Sequence, residues 1–341
     1  MAEPYTLDFP ETLPAERRDQ HWWVESDGVE VRLSNLDKVL WPESGHTKGD
    51  LLAYYWNAAT FILPHLAGRP LTLKRMPDGI GGSHFYQKDA PDYTPEWMPR
   101  CAIEPEDGKI DEMLMVDRPA HLLFVVNLGA IELHPLHSGC ESYDCPDYLV
   151  FDLDPFQPAG FEETLAVAHH VGAALDALGL NGYPKTSGAT GIQVYVPVAP
   201  DHTFAETRQL AERIGLMIER ADPERVTMEW SVSERAGRVF IDHNMNRRAA
   251  SLAAAYSVRP LPDAPVSTPL DWDEIEEASV RPNLFRIDNV MERLAERGDI
   301  FAPVVERHQR LDAALERLEI ERAPDDISEG RVRQVIKPAR S

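Results

Sequence analysis

The chain has 341 residues, 57 of them Asp or Glu against 34 Lys or Arg, for a formal net charge of −23. No apolar run approaches the ~20 residues that cross a bilayer, and MAEPYTLDFPETLPAERRDQ at the N-terminus has no basic start leading into an apolar segment. A membrane span and a secretory leader are therefore not expected, and neither is a disulfide framework, because Cys101, Cys140 and Cys145 form an odd set; a reduced, cytoplasmic protein is the simple reading.

Such acidity argues at first against nucleic acid, since phosphate contacts require Lys and Arg. The charge is uneven, however. Residues 101–160 carry a net −10, whereas residues 31–100 hold eight Lys/Arg and seven Asp/Glu, a net of +1. A local cationic patch thus has room in one window.

In chain order, residues 1–30 are polar with scattered Pro and Trp and read as an extension. KGDLLAYYWNAATFILPHLAG places Leu51, Leu52, Tyr55, Ala59, Ile62 and Leu63 on one side of a helix that Gly68 ends. GRPLTLKRMPDGIGG reads as a strand and a Gly-rich turn, and HLLFVVNLGAIELH as apolar segments leading to His134. YLVFDLDP, bounded by Pro146 and Pro155, is too short for a helix and reads as a strand. FEETLAVAHHVGAALDALGL is a helix closed near Gly179, GIQVYVPV a strand, and Thr203 with Glu206 a capping box opening another helix. RVFID is a further strand. Beyond about residue 270 the chain is charged and mostly helical, ending in basic RVRQVIKPARS. Strands alternating with helices predict a layered α/β or α+β fold, with a main domain over 31–300 and a charged helical tail over 301–341.

Two charges interrupt the YLVFDLDP strand. Side chains alternate across a strand, so Asp152 and Asp154 share a face about 7 Å apart while Leu153 points into the core. Like charges on one face repel unless a cation lies between them, and hard oxygen ligands suit Mg²⁺ or Mn²⁺. Asp before Pro also opens turns, which is the plainer account of Asp154. RVFID ends in the same way, in Asp242. Three carboxylates on neighbouring strand ends would suit two metals and in-line phosphoryl or nucleotidyl transfer. KTSGATG adds a turn with Ser187, Gly188 and Gly191 whose N–H groups can cradle phosphate, with Lys185 nearby.

Together these segments resemble the polymerase domain of bacterial ligase D, a branch of the archaeo-eukaryotic primase superfamily. The motifs run in order: LSNLDKVLWPESGHTKGD, GRPLTLKRMPDGI, HFYQK, ELHP, PDYLVFDLDP, KTSGATGIQVYVPV, RAGRVFID and YSVRPLPDAPVSTPLDWDEI. The resemblance implies an α+β, primase-like core of mixed and antiparallel sheets flanked by helices. It implies that Asp152, Asp154 and Asp242 are the catalytic metal ligands for Mn²⁺ or Mg²⁺, with Asp242 serving mainly the metal at the primer 3′-hydroxyl. Lys74, His134, Ser187, Gly188, Thr190, Arg235 and Arg259 fall on the nucleotide site, and Phe85 and Tyr86 on an aromatic pair near the templating base. Asn35, Lys38 and Lys48 fall on a pocket for a DNA 5′-phosphate. The implied activity is primase-polymerase extension of a primer with NTP or dNTP, often ribonucleotides, at gaps or broken ends in non-homologous end joining. DNA, a DNA-end-binding protein and a separate ligase are the implied partners, and the nucleoid the implied location.

The chain also departs from the family pattern. Thr190 stands where the phosphate turn usually has Lys, Gln193 where it has His, and Met245 where a polar residue is usual. The lost cation should weaken triphosphate binding unless Lys185 or an arginine compensates. The residues after Phe301 are too few for a ligase or nuclease module, so the sequence reads as a stand-alone polymerase. Two other readings stand beside it: a haloacid-dehalogenase-like phosphohydrolase, disfavoured by Pro155 and Phe156 after the second Asp, and a DNA-end-binding scaffold with decayed chemistry. His134, His137, Cys140 and Cys145 are zinc-type ligands, but their spacing is tight for one ion; loop cysteines outside any bond are the expectation.

Overall fold

The computed structural model of the protein describes residues 13–104, 110–322 and 331–336. β1 (Ala15–Arg18), β2 (His21–Ser26) and β3 (Val29–Leu33) form an antiparallel sheet that turns Val24, Val31 and Leu33 inward. Two helices follow, α1 (Lys48–Asn57) and α2 (Ala59–Leu66). Thr47 caps α1, its hydroxyl accepting the Asp50 N–H while the Asp50 carboxylate accepts that of Thr47. The single helix expected over this stretch divides at Ala58. Pro64, which has no N–H to give, sits in the second piece.

Next come β4 (Leu71–Arg75), β5 (Phe85–Gln87), β6 (Arg100–Glu104), β7 (Asp111–Leu114), α3 (Pro119–Asn127) and β8 (Ala130–Pro135). β5, β4 and β8 make a small antiparallel sheet with β4 central, and a register shift falls between Lys74 and Arg75. Its inner face (Leu71, Leu73, Ile131, Leu133) joins Leu51, Leu52 and Tyr55 of α1 and Leu122, Val125 and Val126 of α3 in one core.

The larger sheet is built from β9 (Tyr148–Pro155), β10 (Tyr183–Thr186), β11 (Ile192–Pro197), β12 (Val226–Thr227) and β13 (Val239–Asp242), in the order β10-β11-β9-β13-β12. All pairings are antiparallel except β12 with β13. α4 (Phe161–Leu178) and α5 (Phe204–Ala221) cover one face, where Leu149, Phe151 and Leu153 of β9 meet Val171, Leu175, Leu210 and Ile214. α4 ends at Gly179 in the left-handed conformation (φ 73°), and Thr203 with Glu206 caps α5, both as the sequence predicts. The opposite face of β9 contributes Tyr148 and Val150 to the first core.

Short helices α6 (Trp272–Glu276), α7 (Val290–Arg297), α8 (Pro303–Glu306) and α9 (Asp312–Arg317) close the described chain, followed by β14 (Arg331–Ile336). β14 is a strand where a helical tail was expected; it pairs antiparallel with the open edge of β6, giving the order β14-β6-β7.

The cysteine expectation is overturned. Cys101 in β6 and Cys140 in the loop after β8 are joined by a disulfide, with Cα atoms 6.0 Å apart, and both are buried among Ile103, Met113, Met115, Leu136 and Tyr143. An odd count requires only that one cysteine be left over. Which two pair is decided by the fold, which folds a 39-residue separation back on itself. With Cys140 so engaged, the four-ligand zinc reading also fails. Thiol counting on the denatured chain is expected to return one thiol without reductant and three with it; three in both conditions would rule the bond out.

Candidate active site

Along β9 the residues on one face are Tyr148, Val150, Asp152 and Asp154. The first two fill a core, and where that core stops the carboxylates begin. Register places neighbours beside them. Gln193 lies opposite Asp152 on β11, Lys185 opposite Gln193 on β10, and Asp242 opposite Asp152 on β13. A row Lys185–Gln193–Asp152–Asp242 therefore crosses four strands on one face, which makes neighbours of the two acidic strand ends.

Lys185 is fully buried. Its ammonium donates to Gln193 Oε1 (2.5 Å), Ser267 Oγ (2.6 Å) and the Ala253 carbonyl (3.0 Å). All three protons are thus spent inside the protein, and Lys185 does not compensate for the cation missing at Thr190. It orients Gln193 instead, whose Nε2 donates to Asp152 at 3.0 Å. Burial drives the Lys185 pKa down to about 7.

The turn between β10 and β11 is closed on itself. Ala189 and Gly191 N–H groups donate to Ser187 Oγ at 3.1 and 3.0 Å, rather than pointing outward as an open cradle. Gly188 has φ 70°, and a Cβ there would lie 2.7 Å from Arg259 Cγ. That absence of a side chain lets Arg259 cross the turn and donate to the Ser187 carbonyl at 2.7 Å.

The small sheet supplies the other wall. Tyr86, Lys74 and Glu132 lie side by side across β5, β4 and β8. Glu132, only 1% exposed, accepts from Lys74 (3.2 Å), Arg259 (3.0 Å) and His134 (2.6 Å). Three predicted nucleotide residues from three segments are thereby gathered on one carboxylate. Burial alone would raise the Glu132 pKa, but the His134 hydrogen bond and the charges of Arg259, His134 and Lys74 hold it at about 2. Burial lowers the His134 pKa despite Glu132. Glu132 is not among the residues that the sequence motifs single out. Its signal was the one seen in β9, a carboxylate at i and a second polar group at i+2 in an apolar strand.

Between the walls lies a cleft of about 360 Å³ that Tyr86, His134, Asp152, Asp154, Ser187, Thr190, Gln193 and Arg259 line together. Other predicted residues lie elsewhere. Tyr86 meets His134 edge-on at 6.0 Å, whereas its neighbour Phe85 turns to Arg75, so the aromatic pair splits. Arg235 is buried against Phe240 and donates to the Glu229 and Trp230 carbonyls; it lines no part of the cleft, and its charge acts on Asp154 and Asp242 from the β13 side. Asn35 (φ 57°), Lys38 and Lys48 form a separate group, in which Lys38 pairs with Asp78 and Lys48 Nζ donates to the Ser34 carbonyl at 2.8 Å. Burial, then repulsion from Lys38 and Arg75, lowers the Lys48 pKa to about 8.

Burial and then repulsion from Asp154 push the Asp152 pKa up to about 7, and burial followed by repulsion from Asp242 raises that of Asp154. Asp242 is raised by burial, with its oxygen accepting the Asn244 N–H. Such mutual repulsion among hard oxygen donors fits a divalent cation. As they stand, though, no three His, Cys, Asp or Glu side chains among the described residues converge as a metal cluster.

A model of the LigD primase-polymerase domain family matches residues 47–301. The chain belongs to that family. It is 36% identical over 287 residues to the multifunctional non-homologous end joining protein LigD of Mycolicibacterium smegmatis, covering 84% of this chain and 37% of that protein. It is 31% identical over 269 residues to the bifunctional LigD of Bacillus subtilis, covering 79% and 43%. The chain thus spans less than half of those relatives' length. Among solved structures it resembles the polymerase domain of Mycobacterium tuberculosis ligase D in complex with DNA, with a TM-score of 0.76 and 30% identity, covering 82% of this chain and 99% of that one. The family is one of α+β primase-polymerases of DNA end-joining repair. Among the described residues no helix is long and apolar enough to cross a membrane.

Glu132→Ala is expected to cost about 3–5 kcal/mol, because it leaves two partly buried cations without their buried carboxylate, and Glu132→Gln less. Glu132 has a folded pKa below its ordinary 4.5, so its contribution is complete above that pH and is lost as pH falls towards 2. Denaturant unfolding across that window checks both statements, and an Ala variant as stable as the parent would refute the hub.

Proposed function

We propose that the protein is a template-dependent nucleotidyltransferase that adds NTP or dNTP to a primer 3′ end at gaps or broken DNA ends. The observation that carries this reading is a single cleft with Asp152 and Asp154 on one side and His134 and Arg259, both held by Glu132, on the other. Lys74, His134 and Arg259 suit the oxygens of a triphosphate, and Arg259 takes up the role of the cation absent at Thr190. Ser187 and Gly188 shape the turn that Arg259 crosses. Tyr86 offers a π-face to a base, which tolerates any sequence. Asp152, Asp154 and Asp242 would hold Mn²⁺ or Mg²⁺. When bound, such ions neutralise the carboxylates and the charge that develops on the transferred phosphoryl group. Gln193, oriented by Lys185, fixes Asp152 for that purpose.

DNA is the partner on which this reading depends, and the likeness to a domain solved with DNA supports it. A DNA-end-binding protein and a ligase would complete the repair. The group of Asn35, Lys38 and Lys48, set apart from the cleft, suits a 5′-phosphate on the far side of a gap. The family assignment gives the phosphohydrolase reading no support.

With a gapped duplex, Mn²⁺ and each NTP or dNTP, the protein is expected to extend the primer, and Asp152→Ala to abolish extension. No extension but retained 5′-phosphate-dependent binding would establish the scaffold instead. Because Lys48 loses its proton near pH 8, preference for a 5′-phosphorylated gap should fall as pH rises through about 8. Lys48→Met should remove that dependence; an identical pH profile in the variant would sink the assignment.

A further inference from the structure

The loop after β12 exposes two large apolar side chains, Trp230 (57% exposed) and Val232 (65% exposed). The loop is held firmly. Arg235, itself buried, donates to the Glu229 and Trp230 carbonyls at 2.8 Å each, and its guanidinium lies 3.5 Å from the Phe240 ring centre. The Trp230 ring meets Phe240 at 5.9 Å and His243 at 6.3 Å, edge-on in both cases, so its orientation is set while one side stays open to solvent.

The position of this ring follows from strand register. Phe240 and Asp242 share one face of β13, the face that carries Asp152 and Asp154 on β9, while Val239 and Ile241 face the helices. Phe240 is the register partner of Asp154. Trp230 therefore lies just past the carboxylates on the β13 side. The cleft, with Ser187, Thr190, Gln193 and Arg259, lies on the β11 side, and neither Asp242 nor Trp230 lines it.

Phosphoryl transfer requires the attacking and leaving oxygens to be roughly in line. On the reading above, the pyrophosphate leaves towards Arg259 and Ser187. The attacking 3′-hydroxyl must then come from the opposite side, past Asp242. We propose that Trp230 is the shelf on which the terminal base of the primer strand stacks, presenting its 3′-hydroxyl to the Asp152–Asp242 edge. Electrostatics suit stacking better than phosphate contact, because the same loop carries exposed Glu229 and Glu234. Arg247, exposed and close enough to act on Asp242, adds positive charge on this side of the carboxylates. Arg235 becomes a positioning residue for the shelf rather than a nucleotide ligand.

The inference rests on the polymerase reading, and the test separates the two. A primer-template with 2-aminopurine at the primer 3′ terminus is titrated with wild type, Trp230→Ala and Trp230→Phe, and extension is measured alongside. Stacking on the indole is expected to quench the terminal 2-aminopurine in the wild type. Trp230→Ala should lose that quenching and weaken primer affinity by roughly fivefold or more, with the nucleotide KM kept and with Trp230→Phe restoring most of the affinity. Extension by the wild type with equal primer affinity and equal quenching in Trp230→Ala overturns the shelf alone. A wild type that neither extends nor quenches overturns the polymerase reading and the shelf with it. Because the ring is exposed, the variants should unfold at the wild-type temperature, which keeps a binding loss distinct from misfolding.

Discussion

Strand β9 is a wall shared by two hydrophobic cores, and the rest of the molecule depends on that double burial. Leu149, Phe151 and Leu153 are locked against α4 and α5, so the strand cannot slip by one residue without driving those side chains out of their core. The same register commits Tyr148 and Val150 to the first core and leaves Asp152 and Asp154 at its margin. Apolar packing on one face thus holds two repelling carboxylates on the other, an arrangement their own interaction opposes. Burial first, and then repulsion from a neighbouring carboxylate, raises the proton affinity of both.

Cations are organised by the converse device. Glu132 is a buried charge that would be costly alone, but Lys74, Arg259 and His134 compensate it. Each of those groups comes from a different part of the chain, and Arg259 is held in addition by the Ser187 carbonyl. Lys185 is the counterexample. As a lysine next to the phosphate turn it looks like a ligand, yet full burial turns it inward as the support of Gln193. Whether a lysine serves a substrate or the scaffold depends on which acceptors surround it, and sequence spacing does not carry that information.

The net charge of −23 misleads if read as a uniform property. Much of the acidity over residues 101–160 comes from groups with local tasks, among them Glu132, Asp152 and Asp154. The cationic groups that suit phosphate are few and clustered, so short-range geometry outweighs the average field.

The amino-acid sequence by itself determined the elements with local causes. Alternation marked the strands, Thr203 and Glu206 began α5, and Gly179 ended α4, since each depends on neighbours a few residues away. The carboxylates of β9 and β13 and the family were legible for the same reason, as short motifs in order. Only the tertiary structure decided what depends on distant segments meeting. It set Asp242 beside Asp152, gathered Lys74, Arg259 and His134 on Glu132, split Phe85 from Tyr86, took Arg235 out of the cleft and joined Cys101 to Cys140. Strand register and burial fix those pairings, and both are properties of the assembled sheets rather than of any one stretch of chain.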